Sequence, residues 1–353
     1  MAKLAAFLPF MNLVWGSYFG GPFSGTVALD AQGNVWITGF SVGNMLPDSS
    51  SSSAQSVPFV AELTPDGSAL LNLVVSQFGG TAITSLPGGG VAILGPADTF
   101  LLTGPPSQPS FLTVTNSANN ASSGMIAPEE LISLYGAGIG PSSPLDGQIV
   151  GGVFATMLGG YQVLFNGAPA PLLYAGPNQI NTVAPKELAG EKTASISVVG
   201  PQGSITFPTA FPAPSRPQIF SQIYSSGTYE GAYEAIAFNQ DGTTNSTSNP
   251  AKPGSVLTIW VSGAGLTNDQ SVDGAIVQAP GSTTELPVSL LPYPSSEDLT
   301  LKITYAGNPP GAIMGLVQIN LLYPTPGFAG SVWFQVQIGN SVSGPVNVAV
   351  AAN

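Results

Sequence analysis

Residues 253–265 read Pro253-Gly254-Ser255-Val256-Leu257-Thr258-Ile259-Trp260-Val261-Ser262-Gly263-Ala264-Gly265, and residues 128–138 read Pro128-Glu129-Glu130-Leu131-Ile132-Ser133-Leu134-Tyr135-Gly136-Ala137-Gly138. Each holds a run of branched and aromatic residues between a proline and a Gly-Ala-Gly, the pattern of a strand bounded by turns. The pair belongs to a longer repeat. Tyr161-Gln162-Val163-Leu164-Phe165-Asn166-Gly167 matches Leu301-Lys302-Ile303-Thr304-Tyr305-Ala306-Gly307. Gln-Ile-Asn follows 12 or 11 residues past the respective glycine, at Gln179–Asn181 and Gln318–Asn320. A strand pair closes each copy: Ala194 to Val199 with Ser204 to Phe207, and Val332 to Ile338 with Val346 to Val350. Each copy spans about 100–135 residues with about seven strands, which fits an immunoglobulin-like sandwich lacking the disulfide.

A second repeat precedes these. Asn12-Leu13-Val14 leads to Phe19-Gly20-Gly21 as Asn72-Leu73-Val74 leads to Phe78-Gly79-Gly80, and Val35-Trp36-Ile37-Thr38-Gly39 is echoed by Val91-Ala92-Ile93-Leu94-Gly95. A unit of this length, with several short strands, is the size of a propeller blade. Two such units do not close a propeller, so the region reads as a fragment, an open β body, or a body completed by other subunits. No helical period is sustained, and 44 glycines and 33 prolines would break most helices. The fold expectation is all-β: a propeller-blade-like region at 1–113, then Ig-like sandwiches at 114–215 and 216–353.

Composition narrows the function. The 353 residues include 6 Lys+Arg and 18 Asp+Glu, a net charge of −12, with no His and no Cys. Without His or Cys there is no Ser-His-Asp or Cys-His nucleophile, no thiolate chemistry and no disulfide. Six scattered cations cannot track a phosphate backbone or hold an anionic lipid surface, which argues against nucleic acid and membrane partners. Disorder is a poor reading for a chain that is 43% hydrophobic. A chain only 7% charged has few charges for its surface, which suits a protein that packs against copies of itself or works outside the cell.

The stretches "APEELISLYGAGIGP", "LFNGAPAPLLYAGPNQINTVAPKELAG" and "FNQDGTTNSTSNPAKPGSVLTIWVSGAGL" resemble the C-terminal domain described in Solibacter and other Acidobacteria, over roughly residues 114–353. "VWGSYFGG…GTVALDAQGNVWITGF" and "FVAELTPDGSALLNLVVSQFGG" resemble bacterial SBBP β-propeller repeats. The resemblance implies the tail of a large secreted or surface protein, built from IPT/TIG-type Ig halves whose surface turn carries Asn166-Gly167 and Ala306-Gly307. It implies no reaction.

The candidate chemistry is thin. Gly136-Ala137-Gly138-Ile139-Gly140 lacks the strand–loop–helix context and the spacing of a dinucleotide loop, and reads as a strand-end turn. Glu129-Glu130, Glu187 with Glu191, and Glu297-Asp298 are possible acid/base pairs. Neighbouring strand residues face opposite ways, so these read as solvated acidic turns. Ser248 with Lys252 is the nearest Ser-Lys pair. Asn239 to Asn245 and Asp30 to Asn34 are oxygen-rich turns that could hold calcium, and read more simply as Asx-turns. Tyr224, Tyr229, Tyr233, Tyr293 and Trp260 could stack on a sugar, although strand aromatics are more often core. Asn120 and Asn245 head glycosylation sequons.

The expectation is a non-enzymatic structural protein, secreted or on the cell surface, that assembles with copies of itself as a filament or surface-layer subunit. An adhesin or glycan-binding module is the alternative, and an acid-type hydrolase a third reading. No catalytic residue, cofactor or metal ligand is assigned, and no membrane insertion. The apolar stretch from Leu4 to Val14 reads as a β-strand, or as the remainder of a signal peptide. Donated to a neighbour, it would contribute Leu4, Phe7, Leu8, Phe10, Leu13 and Val14 to assembly.

Overall fold

The computed structural model describes residues 2–7, 10–16, 23–30, 32–42, 56–66, 70–75, 82–85, 91–94, 100–103, 110–121, 124–201, 203–223, 233–295, 301–327 and 329–352. The chain is all-β. Among the described residues the only helical element is a 3₁₀ turn at Lys186–Leu188. No described helix is long and apolar enough to cross a membrane. The chain divides into two compact units: residues 1–113 with 135–138, and residues 114–134 with 139–353.

The first unit is a series of antiparallel meanders of unequal size. Phe23–Leu29, Val35–Val42, Ser56–Leu63 and Leu70–Val75 form a four-stranded sheet, and Ala82–Ser85, Val91–Leu94 and Phe100–Thr103 a three-stranded one. Trp36 and Val60 from the first pack with Val91 and Ile93 from the second. The opposite face of the larger sheet, with Ile37, Phe59 and Ala61, is buried too. Among the described residues, Ala2–Phe7 and Phe10–Gly16 pair only with each other, Leu4 opposite Leu13 and Phe7 opposite Phe10. The expected single strand over Leu4 to Val14 is therefore a hairpin. Its second strand carries Asn12-Leu13-Val14 where the last strand of the four-stranded sheet carries Asn72-Leu73-Val74. The hairpin thus matches the second half of that sheet.

From Ser110 onward the strands form two β-sandwiches. In the first, one sheet runs Ser110–Asn116, Leu131–Ala137, Gln179–Val183, Leu172–Gly176, Leu145–Asp146. The other runs Met125–Ile126, Gly203–Pro212, Ala194–Gly200, Gln162–Phe165, Ala168–Ala170. In the second, Gln218–Ile219, Val256–Ser262, Val317–Leu322 and Lys302–Gly307 make one sheet. Ser221–Ile223, Tyr233–Ala235, Val346–Val350, Gly330–Ile338 and Val288–Pro292 make the other. Burial alternates along Val317–Leu322 and Gly330–Ile338, as period-2 strands with one face inward require. Leu257, Ile259, Ile319 and Leu321 meet Phe334, Val336, Ile338 and Val348 in one core.

The strand match needs one correction. Gln162–Phe165 pairs with Ala194–Gly200, as Val288–Pro292 pairs with Gly330–Ile338. Tyr161–Gly167 is thus not the partner of Leu301–Gly307. The true counterpart of Tyr305-Ala306-Gly307 is Tyr174-Ala175-Gly176. Tyr174 lies opposite Asn181 and Gly176 opposite Gln179, just as Tyr305 lies opposite Asn320 and Gly307 opposite Gln318. The same side-chain bond, from Gln Nε2 to Asn Oδ1, forms at 2.8 Å in the first copy and 2.7 Å in the second. All these strands share an alternating pattern, so composition alone let the match slip by one strand. Asn166-Gly167 is a turn (φ +49° and +86°), whereas Ala306-Gly307 lies within a strand.

Candidate functional site

The densest chemistry lies where the two sandwiches meet, within the second unit. Both copies of the repeat enter their first strand through the same turn. Glu130 N–H donates to the Ala127 carbonyl at 3.2 Å, and Ser255 N–H to the Lys252 carbonyl at 3.0 Å. Its third residue is left-handed in both, Gly254 at φ +78° and Glu129 at φ +59°. Glycine adopts this conformation freely, while another L-residue is strained there by roughly 1–2 kcal/mol. A Cβ on Gly315 would come within 1.9 Å of the Glu129 carbonyl oxygen, so the second sandwich presses directly on the turn.

Glu129 and Glu130 are 2% and 0% exposed, which overturns the solvated-turn expectation. As successive residues they do point apart, and each reaches its own cation. Arg216 Nη1 donates to Glu130 Oε1 at 2.7 Å, and the Ala127 N–H to Oε2 at 2.7 Å. The Arg216 N–H donates to the Gly263 carbonyl at 2.7 Å, and its other terminal nitrogen to the Ala121 carbonyl. Leu131 N–H donates to Ser262 Oγ at 2.8 Å, tying the matched strands together. Glu129 Oε1 faces Lys186 Nζ at 3.4 Å, and its Oε2 accepts from Thr267 Oγ1 at 3.2 Å. Lys186 Nζ donates to the carbonyls of Asp269 (2.8 Å) and Ser271 (2.6 Å), and its backbone N–H to Asp273 Oδ1 (3.2 Å).

Burial pushes the Glu129 carboxyl up to about 7, against the pull of Lys186 and Thr267. It raises Glu130 as well, opposed by Arg216 and the Ala127 N–H. Asp273 is raised by burial and by the nearby Glu187, despite its bond from Lys186. Burial also works to raise Asp269, but bonds from Ser271 and the charge of Lys186 outweigh it. The two glutamates serve separate partners. Beside the turn, Pro128, Leu188, Pro214, Leu266 and Leu286 help line a mostly apolar groove of about 340 Å³, with Glu191 and Glu285 also contributing.

The first unit holds a different buried acid. Asp30 Oδ1 accepts from the N–H groups of Gln32 and Asn34, an Asx-turn, and Oδ2 accepts from Trp36 Nε1. Asn34 Nδ2 donates to Glu62 Oε1 at 2.8 Å. The Glu62 Oε2 is buried without a hydrogen bond. Burial, eased by Asn34 and aggravated by the Asp30 charge, raises this carboxyl to about 7.

The remaining sequence candidates resolve one by one. Asp241 Oδ1 accepts from both the N–H and the hydroxyl of Thr243, an exposed Asx-turn whose bonds hold the carboxyl below its usual range. Ser248 Oγ pairs with Ser246 Oγ. Asn245 is buried and donates to Asn239 Oδ1 and the Ala349 carbonyl, so its sequon is closed in the folded chain. The turn after Leu131–Ala137 takes Gly138 at φ +66°. Tyr233 and Tyr293 are exposed, and Trp260 sits half-buried on the outer face of its strand. Glu187 and Glu191 are exposed. Leu8, Tyr224, Tyr229, Glu297 and Asp298 lie outside the described residues.

Sequence reasoning missed the buried seam. One clue was available: Glu129-Glu130 stands where the other copy carries Gly254-Ser255, so the acids are the departure from the repeat. No family model matches the chain, and no curated protein or solved structure does.

Proposed function

We propose that this chain is a non-enzymatic structural protein of the bacterial surface that assembles with copies of itself through open sheet edges. One observation carries the reading: among the described residues, the repeated meanders of the first unit contain two, four and three strands. Among the described residues, Ala2–Phe7 ends one short sheet and Phe100–Thr103 ends the other. Neither edge carries proline, and Lys3 is their single charge. Such edges accept strands from a neighbour. The two differ, so pairing one with the other runs head to tail, which builds an open filament where the rotation between copies does not close a ring. The low surface charge, and the resemblance to secreted Acidobacteria-type tails behind blade-like repeats, support an extracellular setting.

Light scattering on the full chain over a range of concentrations tests this. The expected result is a mass that grows with concentration and falls back when residues 1–14 are deleted. A monodisperse monomer at high concentration contradicts it.

A glycan-binding reading is favoured by the outer face of the second sandwich, where Trp260 lies opposite Gln318, and Thr258, Asn320 and Tyr305 stand in register beside them. An aromatic beside amides is the chemistry that stacks on and hydrogen-bonds a sugar. Binding on a glycan array that is lost in Trp260→Ala would support this reading over the first.

A further inference from the structure

We propose that Lys186 and Glu129 are joined by an amide bond between Nζ and Cδ, formed by the folded protein itself. The inference is independent of the assembly reading.

The first argument is conformational. Glu129 keeps a left-handed backbone (φ +59°) where the matching turn uses Gly254. A strained non-glycine residue persists where its side chain is needed. That side chain is 1% exposed and faces the Lys186 amine at 3.4 Å.

The second argument is the arrangement of the amine. Nζ donates to the carbonyls of Asp269 and Ser271. A neutral amine has two N–H bonds, and these two carbonyls accept both. Once the amine has given up a proton, its lone pair is free of those two carbonyls, and Glu129 Oε1 is 3.4 Å from the nitrogen. The carboxyl is equally prepared. Oε1 has no hydrogen-bond donor, and Oε2 accepts from Thr267 Oγ1. With burial holding this carboxyl near 7, its neutral, electrophilic form is populated at neutral pH.

The step balances without an oxidant or cofactor. The ammonium passes one proton to the carboxylate, leaving NH₂ and COOH. The nitrogen lone pair attacks Cδ, and the Thr267 hydroxyl steadies the negative oxygen of the tetrahedral intermediate. The nitrogen passes a second proton to the hydroxyl oxygen on Cδ, the bond from Cδ to that oxygen breaks, the carbonyl re-forms, and water departs. Lys186 keeps 23% side-chain exposure, which leaves water a way out. A covalent tie here would serve a chain with no cysteine as a disulfide serves others, by restricting the unfolded state.

Intact-mass measurement of the denatured full chain tests the proposal. The expected mass is short by one water, with Glu129 and Lys186 recovered in one branched peptide after digestion. Lys186→Met should restore the full mass calculated for that variant. Glu129→Gln should still react, its mass short by one ammonia, which shows the amide-forming geometry even if Lys186→Met fails to fold. A wild-type chain of full mass after prolonged incubation at neutral pH overturns the proposal. So does a water deficit that maps to any other pair.

Discussion

The two copies of the repeat enter their first strand through the same turn and use it differently. In the second copy, Gly254 and Ser255 satisfy the turn locally, with Ser255 Oγ donating to the Lys252 carbonyl. In the first, Glu129 and Glu130 reach outward to Lys186, Thr267 and Arg216. One turn only starts a strand, while the other also fastens one sandwich to the next. A buried ion pair adds little net stability over an apolar pair, because desolvation offsets attraction. It does fix geometry, since every alternative arrangement leaves a charge buried alone. Arg216 and Lys186 are two of only six cations in the chain. Their placement at this seam shows where sparse charge is concentrated.

Removing one partner should have the largest effect. Arg216→Ala leaves the Glu130 carboxylate buried without its cation and should cost about 3–5 kcal/mol. Denaturant unfolding measures this, and adding Glu130→Ser, the residue type of the second copy, should recover much of the loss. A cost below about 1 kcal/mol would mean that the seam tolerates a lone charge.

A smaller effect separates backbone from side chain at the turn. Glu129→Ala and Glu129→Gly both remove the carboxyl, but only glycine relieves the left-handed conformation. Glycine should therefore be the more stable of the two by about 1 kcal/mol. In the reverse experiment, Gly254→Ala should cost about the same. Its added Cβ would meet nothing closer than Thr325 Cγ2 at 3.8 Å, so backbone strain is the whole penalty.

The first unit supplies the contrast of a buried acid without a paired cation. The Glu62 carboxyl titrates near 7 in the folded chain, against an ordinary value of 4.5. The folded state holds that proton more tightly than the unfolded state. The group therefore favours folding below about pH 4.5, and its contribution is lost as pH rises through about 7. Glu62→Gln should remove this loss, raising stability at pH 8 by roughly 1–2 kcal/mol relative to wild type while changing little at pH 4. Thermal unfolding at the two pH values reads the difference. The smallest expected effect is at the exposed Asx-turn, where Asp241→Ala should leave the thermal midpoint almost unchanged.

Strand content, the two sandwiches and their closing strand pairs were legible because period-2 patterns and turn residues are local signals. The pairing of Tyr174-Ala175-Gly176 with Gln179-Ile180-Asn181 was hidden. The second copy has residues 308–317 between the same two motifs where the first has only 177–178, which obscures equal spacing. The hairpin at Ala2–Gly16 was read as one strand because Pro9 and Asn12 did not outweigh a continuous apolar run. The burial of Glu129 and Glu130 was illegible for a deeper reason. Their partners Lys186, Arg216 and Thr267 are distant in sequence, and no local pattern announces a charge whose solvent is another domain.

The seam should make the two sandwiches one cooperative body. Native-state hydrogen exchange of the full chain, followed as denaturant is raised, tests it most directly. Peptides covering Ala194–Gly200 and Gly330–Ile338 should converge on a single opening free energy and slope, and Arg216→Ala should split them. Two separate isotherms in the wild-type protein would show that the sandwiches open independently and would contradict the account.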